Sequence, residues 1–251
     1  MPRILLEVIV TSLDDARAAA AGGADRFELC AALALGGLTP SLGLLDSIKR
    51  ELPEMPVMFM LRPREGGMAY SEGDLSVMQR DAELALAHGA DGLVFGVLTD
   101  RGDVDTKACQ RLLAVARQRP GTQTVFHRAF DVVADPDRAL EQLIDLGFTR
   151  VLTSGRARRA AEGVAEIRRS IERAAGRIEI LPGGGIDAGN ALKIIDATGA
   201  DQVHLSATRT LSDHSTGANP LIGFHAVTSR GKNTYRATDP DLVRAVRDAT
   251  N

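Results

Sequence analysis

The chain has 251 residues, 44% of them hydrophobic, and a formal charge of −3; it can fill one large core and falls in the size range of a single α/β barrel. That charge offers no broad basic field, and two tyrosines without a tryptophan leave little ring surface for stacking bases, so nucleic acid is not expected as a partner. The opening MPRILLEVIV is broken by Glu7 too early for a secretory core, no apolar run reaches membrane-spanning length, and two distant cysteines build neither a disulfide framework nor a CxxC metal motif. The expected location is the cytoplasm, with no membrane contact.

In chain order, ILLEVIV (4–10) reads as a first strand and carries Glu7. GADRFELC (23–30) follows a helix-like segment: a glycine suited to the helix end, a short turn, then an apolar strand. The same figure returns as GADGLVFG (89–96), GFTRVLTS (147–154) and GADQVHLS (199–206). Between them lie VMFML (57–61), QTVFHR (123–128) and RIEILPG (177–183), which brings the strands to eight. The segments between strands, DLSVMQRDAELALAHG and DPDRALEQLIDLG among them, have helical apolar spacing. This alternation predicts a single-domain TIM (β/α)8 barrel over residues 1–251, with function at the C-terminal ends of the strands. A doubly wound open sheet is the alternative. After the eighth strand, 209–237 reads as a long polar loop, serving as a lid, an oligomer contact or a disordered segment, and 238–251 as a C-terminal helix.

Side-chain alternation then sorts the strands into faces. Aligning the four repeats puts Phe27, Leu93, Val151 and Val203 in one column and Leu29, Phe95, Thr153 and Leu205 in another; these should meet the helices. The opposite parity, Glu28, Val94, Leu152 and His204, then Cys30, Gly96, Ser154 and Ser206, should face the barrel interior, the second set at the mouth. Glu7, Met58, Met60, Arg62 and His127 join them from the other strands. Buried charges need partners, and the expected pairs are Glu28 with Arg62 and Glu7 with His204.

The chemistry-bearing candidates follow from these positions. FHRAFD (126–131) gathers His127, Arg128 and Asp131; a histidine titrates near neutrality and a carboxylate can orient it, so Glu28, His127 and Asp131 are the candidate acid–base residues. LRPREGG (61–67) offers Arg62 and Arg64 for a bidentate grip on a carboxylate or phosphate, with a surface salt bridge as the plainer role for Arg64. Gly183, Gly184 and Gly185 in LPGGGI follow the seventh strand, where backbone N–H groups can cradle an anion. Ser154, His204 and Ser206 complete the candidate binding set. The three glycines could instead make only a tight turn. Met58 and Met60 suit core packing, and Cys109 on a helix suits an inert role.

GGADRFELCAALALGGLTPSLG, the RPR and GG of residues 62–67, DGLVFGVL, TVFHRAFD, RVLTSG and PGGGI together resemble the CutC family, known as copper homeostasis proteins, over about residues 4–207. The resemblance implies a cytoplasmic TIM barrel that self-associates, and a link to copper tolerance. Members resembling the enterobacterial proteins carry cysteines where this chain has Ile9 and Ala69. Cu(I) favours thiolates and thioethers, so Cys30 with Met60, or with His204, forms the remaining candidate copper site. No organic cofactor is indicated. Three functions stand open: a Cu(I)-holding protein dependent on Cys30, an enzyme acting on a small anionic, phosphorylated or sugar-like substrate, and a non-catalytic barrel that uses 209–237 as a contact surface. In the enzyme reading, an oxyanion near Gly184 and Ser206 is expected ahead of copper at Cys30.

Overall fold

The repeat glycines end helices in a conformation that a side chain resists. Gly23, Gly89, Gly147 and Gly199 have φ values of 94°, 91°, 79° and 76°. The residue two further on then ties adjacent units together. Asp25 accepts from Leu6 N–H and Asp91 from Val57 N–H, while Thr149 Oγ1 accepts from Thr124 N–H. Each of these three repeats thus anchors the start of the strand preceding its own.

The computed structural model describes residues 3–215, 217–219, 221–222 and 233–251. Its elements run β1 (Leu5–Val10), α1 (Leu13–Ala21), β2 (Arg26–Leu29), α2 (Leu42–Glu51), β3 (Val57–Met60), α3 (Glu72–Ala87), β4 (Gly92–Phe95) and α4 (Thr106–Ala116). They continue through β5 (Gln123–Phe126), α5 (Pro136–Leu146), β6 (Arg150–Thr153), α6 (Val164–Ala174), β7 (Glu179–Pro182), α7 (Ala191–Thr198) and β8 (Gln202–Leu205). Side-chain caps start many of the helices: Ser12, Ser41, Ser71, Asp105 and Asp135 each accept a backbone N–H of the first turn.

Strands β1 to β8 form one parallel sheet in the order β7-β6-β5-β4-β3-β2-β1-β8, and a parallel bridge between Gly183 and His204 brings β7 to β8. The result is a nearly closed TIM-like barrel, as the alternation predicts. Phe27, Leu29, Leu93, Phe95, Val151, Val203 and Leu205 lie in the core shared with the helices, whereas Cys30, Met58, Met60, Val94, Val125, Leu152 and Leu181 form a second, inner cluster. The face assignment is therefore as expected. Thr153, the polar member of the helix-facing column, is buried, and its hydroxyl donates to Asp131, which the short 3-10 turn at Arg128–Val132 carries against β6.

The segment expected as a loop over 209–237 differs as well. It starts and ends in an antiparallel ribbon, β9 (Thr208–Ser212) with β10 (Thr234–Thr238), paired from Thr208↔Thr238 to Ser212↔Thr234. Threonine and tyrosine favour strands, a preference hidden in the overall Ser/Thr/Gly/Asn composition. Thr238 N–H donates to Asp15 and Asp239 N–H to Ala207 O, which fasten the ribbon to α1 and the end of β8. Residues 216, 220 and 223–232 of that segment lie outside the described residues. The last helix, α8 (Pro240–Ala249), is capped by Asp239 with proline at its first turn. Among the described residues no helix is long and apolar enough to cross a membrane.

Candidate active site in the barrel

Polar side chains enter the barrel from its lower end upward. At the N-terminal end of the strands, Arg26 donates to Gln202 Oε1 (3.1 Å) and Arg150 donates to Glu179 (2.7 Å) and Gln123 (3.0 Å). Gln202 in turn donates to Glu179 (3.0 Å). Arg26 is 3% exposed and Arg150 2%, so both guanidinium groups are buried, while Glu179 reaches the surface at the barrel floor. The candidate set built from the sequence contains neither arginine, yet the repeats carry the signal: Arg26, Gly92, Arg150 and Gln202 form the column two residues before Glu28, Val94, Leu152 and His204.

One level higher, Glu7 joins this network to the candidate chemistry. Arg26 Nε donates to Glu7 Oε2, and Glu7 Oε1 lies 2.8 Å from His204 Nδ1. Burial by itself would raise the Glu7 carboxyl, but Arg26 and His204 reverse this and hold it well below the usual carboxylate range. An ionised Glu7 can only accept, so it keeps the proton on His204 Nδ1 and turns Nε2 toward Glu28. That nitrogen is 3.8 Å from Glu28 Oε2, beyond a hydrogen bond. Glu28 Oε1 is buried and has no hydrogen-bond partner among the described residues. Burial, with Glu7 adding repulsion, pushes Glu28 up to about 7 despite the pull of His204. Burial also disfavours the His204 cation, yet Glu28 and Glu7 outweigh it and raise the imidazole above its ordinary value.

The expected Glu28–Arg62 pair does not form. Glu28 is level with Met58 in the β2–β3 register, and Arg62 lies four residues further, about 13 Å along the chain direction. Its guanidinium turns to the mouth loops and donates to the carbonyls of Leu35 (2.8 Å), Gly37 (2.9 Å) and Gly66 (2.9 Å), leaving Nε without a partner among the described residues. The Glu7–His204 pair does form. Arg64 is held at the surface by Asp74, by the carbonyls of its own loop and by the face of Tyr70.

His127 stands at the end of β5 over Gly96, where a Cβ would come within 2.6 Å of the ring. Its Nδ1 accepts from Ala129 N–H (3.2 Å), and Nε2 is buried without a partner among the described residues. Burial, then the Arg62 charge, lowers His127 to about 4, so at neutral pH Nε2 carries a proton with no acceptor. The expected Asp131–His127 contact is absent. Asp131 instead accepts from Arg128 Nε (2.7 Å), Thr153 Oγ1, the backbone N–H and hydroxyl of Ser154 and the N–H of Arg156. The 3-10 turn after His127 carries Asp131 away toward β6.

Cys30 is 1% exposed in the inner apolar cluster with Met60, and a Cβ added at Gly37 would sit 3.6 Å from Cys30 Sγ and 3.9 Å from the Met60 methyl. Burial, reinforced by Glu28, pushes this thiol far above its ordinary range. Gly183 to Gly185 turn the chain beyond β7, with φ of 104° at Gly184 and 70° at Gly185, and Ser206 lies half-buried just past the adjoining end of β8. Glu7, Glu28 and His204 are a group of buried side chains whose ligand atoms lie within 4.8 Å of one another.

Comparison with known proteins agrees with this architecture. Residues 4–209 match the family model described as the CutC family. The chain is 50% identical over 224 residues to a CutC family protein of Treponema denticola, covering 89% of each chain. It is 45% identical over 242 residues to the human copper homeostasis protein cutC homolog, covering 96% of this chain and 87% of that one. A crystal structure of the putative copper homeostasis protein CutC from Streptococcus agalactiae superposes with a TM-score of 0.76 at 37% identity, covering 81% of this chain and 98% of the other.

Proposed function

This chain belongs to the CutC family, and we propose that its barrel is an acid–base enzyme acting on a small anionic substrate bound at the C-terminal mouth. The observation that carries this reading is the buried Glu28 carboxyl, raised to about 7, with one oxygen unpartnered among the described residues and the other facing His204 Nε2. A carboxyl that titrates near neutrality can both give and take a proton at working pH. A buried polar atom without a partner costs stability, and a bound substrate would supply the missing partner.

In this mechanism Arg26 keeps Glu7 ionised, Glu7 holds the proton on His204 Nδ1, and His204 Nε2 exchanges a proton with Glu28 or supports its charge. Glu28 is the group that exchanges with substrate. His127 presents a neutral Nε2–H as a hydrogen-bond donor for an oxygen of the substrate. Arg62 fixes the mouth loops and adds positive potential above the site.

The relatives' names point to copper homeostasis, and copper as cargo meets a poor donor set here. Cu(I) prefers thiolates and thioethers; Met60 brings a thioether beside Cys30, but Cys30 is held as a buried thiol, and Ile9 and Ala69 add no second one. Glu7, Glu28 and His204 supply oxygen and nitrogen only.

A proton-exchange screen tests the chemistry across the whole substrate class at once. The protein in D2O is incubated with a panel of sugar phosphates and small carboxylates, and deuterium incorporation into each compound is followed by NMR. Incorporation into at least one compound, lost in Glu28→Gln, is expected. No incorporation anywhere, together with chelator-resistant Cu(I) binding that Cys30→Ser abolishes, would replace this reading with a copper-holding one.

A further inference from the structure

The geometry points to a phosphomonoester clamp at the end of β7, formed by Arg128, Arg159 and the Gly184–Gly185 turn beside Ser206. This rests on the reading above that the mouth takes an anionic substrate, and it names the class: a substrate carrying a terminal phosphate.

Two arginines converge on one glycine turn. A Cβ on Gly184 would lie 3.6 Å from Arg128 Nη1, and one on Gly185 would lie 3.3 to 3.7 Å from the Cβ, Cγ and Cδ atoms of Arg159. Arg128 is aimed by Asp131, which accepts from its Nε, and by Ser154 Oγ, which accepts from Nη2 at 2.6 Å. Nη1 is left without a hydrogen bond among the described residues. Asp131 is itself held by Thr153, Ser154 and Arg156, so its position is set by β6 and the loop that follows. The carboxylate the sequence assigns to His127 therefore positions an arginine instead.

Arg159 makes no side-chain hydrogen bond or ion pair among the described residues, whereas the arginines of the outer helices such as Arg17, Arg169 and Arg173 are paired with carboxylates. Its stem lies on Gly185, whose positive φ and missing side chain let the arginine pack closely against the turn. Ser206 adds a half-buried hydroxyl at the adjoining strand end, and Ala207 after it takes a left-handed φ of 39°. The Arg128 guanidinium, a second arginine whose stem is rooted on the same turn, turn amides and a hydroxyl at the β7 and β8 ends match the oxygens and charge of a phosphate dianion. A carboxylate, with two oxygens and one charge, would use only part of this set.

Isothermal titration with inorganic phosphate, with acetate as the carboxylate control, tests the clamp directly. Phosphate is expected to bind more tightly than acetate, and Arg159→Ala is expected to weaken it by about tenfold or more, as for loss of one charge-assisted contact. Arg159→Lys should recover part of the affinity. Glu28→Gln should leave phosphate affinity unchanged, because Glu28 lies outside the clamp. Absence of phosphate binding, equal binding of acetate, or full affinity in Arg159→Ala would overturn the proposal. Phosphate binding that depends on Arg159, in a protein that exchanges no deuterium with any compound, would uphold the clamp and sink the proton chemistry; exchange with only unphosphorylated compounds would do the reverse.

Discussion

At the scale of single residues, the interior is governed by which charge has a partner and which does not. Glu7 is held by both Arg26 and His204, so Glu7→Gln leaves a buried guanidinium without its counter-charge. It is expected to cost about 3 kcal/mol or more. Arg62→Met removes donors to three carbonyls, but Leu35 and Gly66 lie where water can replace them. Its expected cost is about 1 to 2 kcal/mol. Urea unfolding of the two variants checks the order: an Arg62→Met protein less stable than Glu7→Gln would mean that Arg62 neutralises a buried charge after all.

At the scale of elements, the end of β4 decides where His127 can sit. A Cβ on Gly96 would be 2.6 Å from the imidazole and 2.9 Å from Ala129 Cβ. Gly96→Ala must therefore push the ring or the following 3-10 turn outward, an overpacking expected to cost about 1 to 3 kcal/mol. The change should appear as a shift in the His127 ring signals by NMR, with those of His204 little altered. Unchanged His127 signals would show that the ring has room not apparent from the packing. The same strand end explains the repeat: glycine occupies the β4 position equivalent to Cys30, Ser154 and Ser206 because β5 sends a large ring across it.

At the scale of the whole molecule, buried titrating groups link stability to pH. His127 is lowered to about 4 from 6.5, so between these values the unfolded chain binds a proton that the folded chain refuses. Stability should therefore rise as pH increases from about 4 to 6.5, by about 3 kcal/mol for this group. Glu28 works in the opposite direction. Raised to about 7 from 4.5, it binds a proton in the folded state that the unfolded chain has released, so its contribution falls as pH rises through that window. Urea midpoints across pH 4 to 8 should show His127→Gln with a flatter acid limb. Glu28→Gln should gain on the parent as pH rises from 4.5 to 8. Parallel curves for all three proteins would contradict both assignments.

The sequence alone determined the barrel, because four spaced Gly-turn-strand repeats and a strict two-residue period are local properties, readable without knowing what the chain touches. Parity also assigned Glu28, Cys30 and His204 to the interior, and the preceding repeat column held Arg26 and Arg150 for the same reason. Which of these groups meet was decided only by tertiary structure. Glu28 faces His204 rather than Arg62 because strand register sets the height of each residue and β1, paired with β2 on one side and β8 on the other, sets its lateral neighbours. Asp131 serves Arg128 and Ser154 rather than His127 because a single 3-10 turn redirects it by one strand. Alternation tells which way a side chain points, but a long arginine or a carboxylate on a turn has several partners within reach, and only the assembled barrel selects among them.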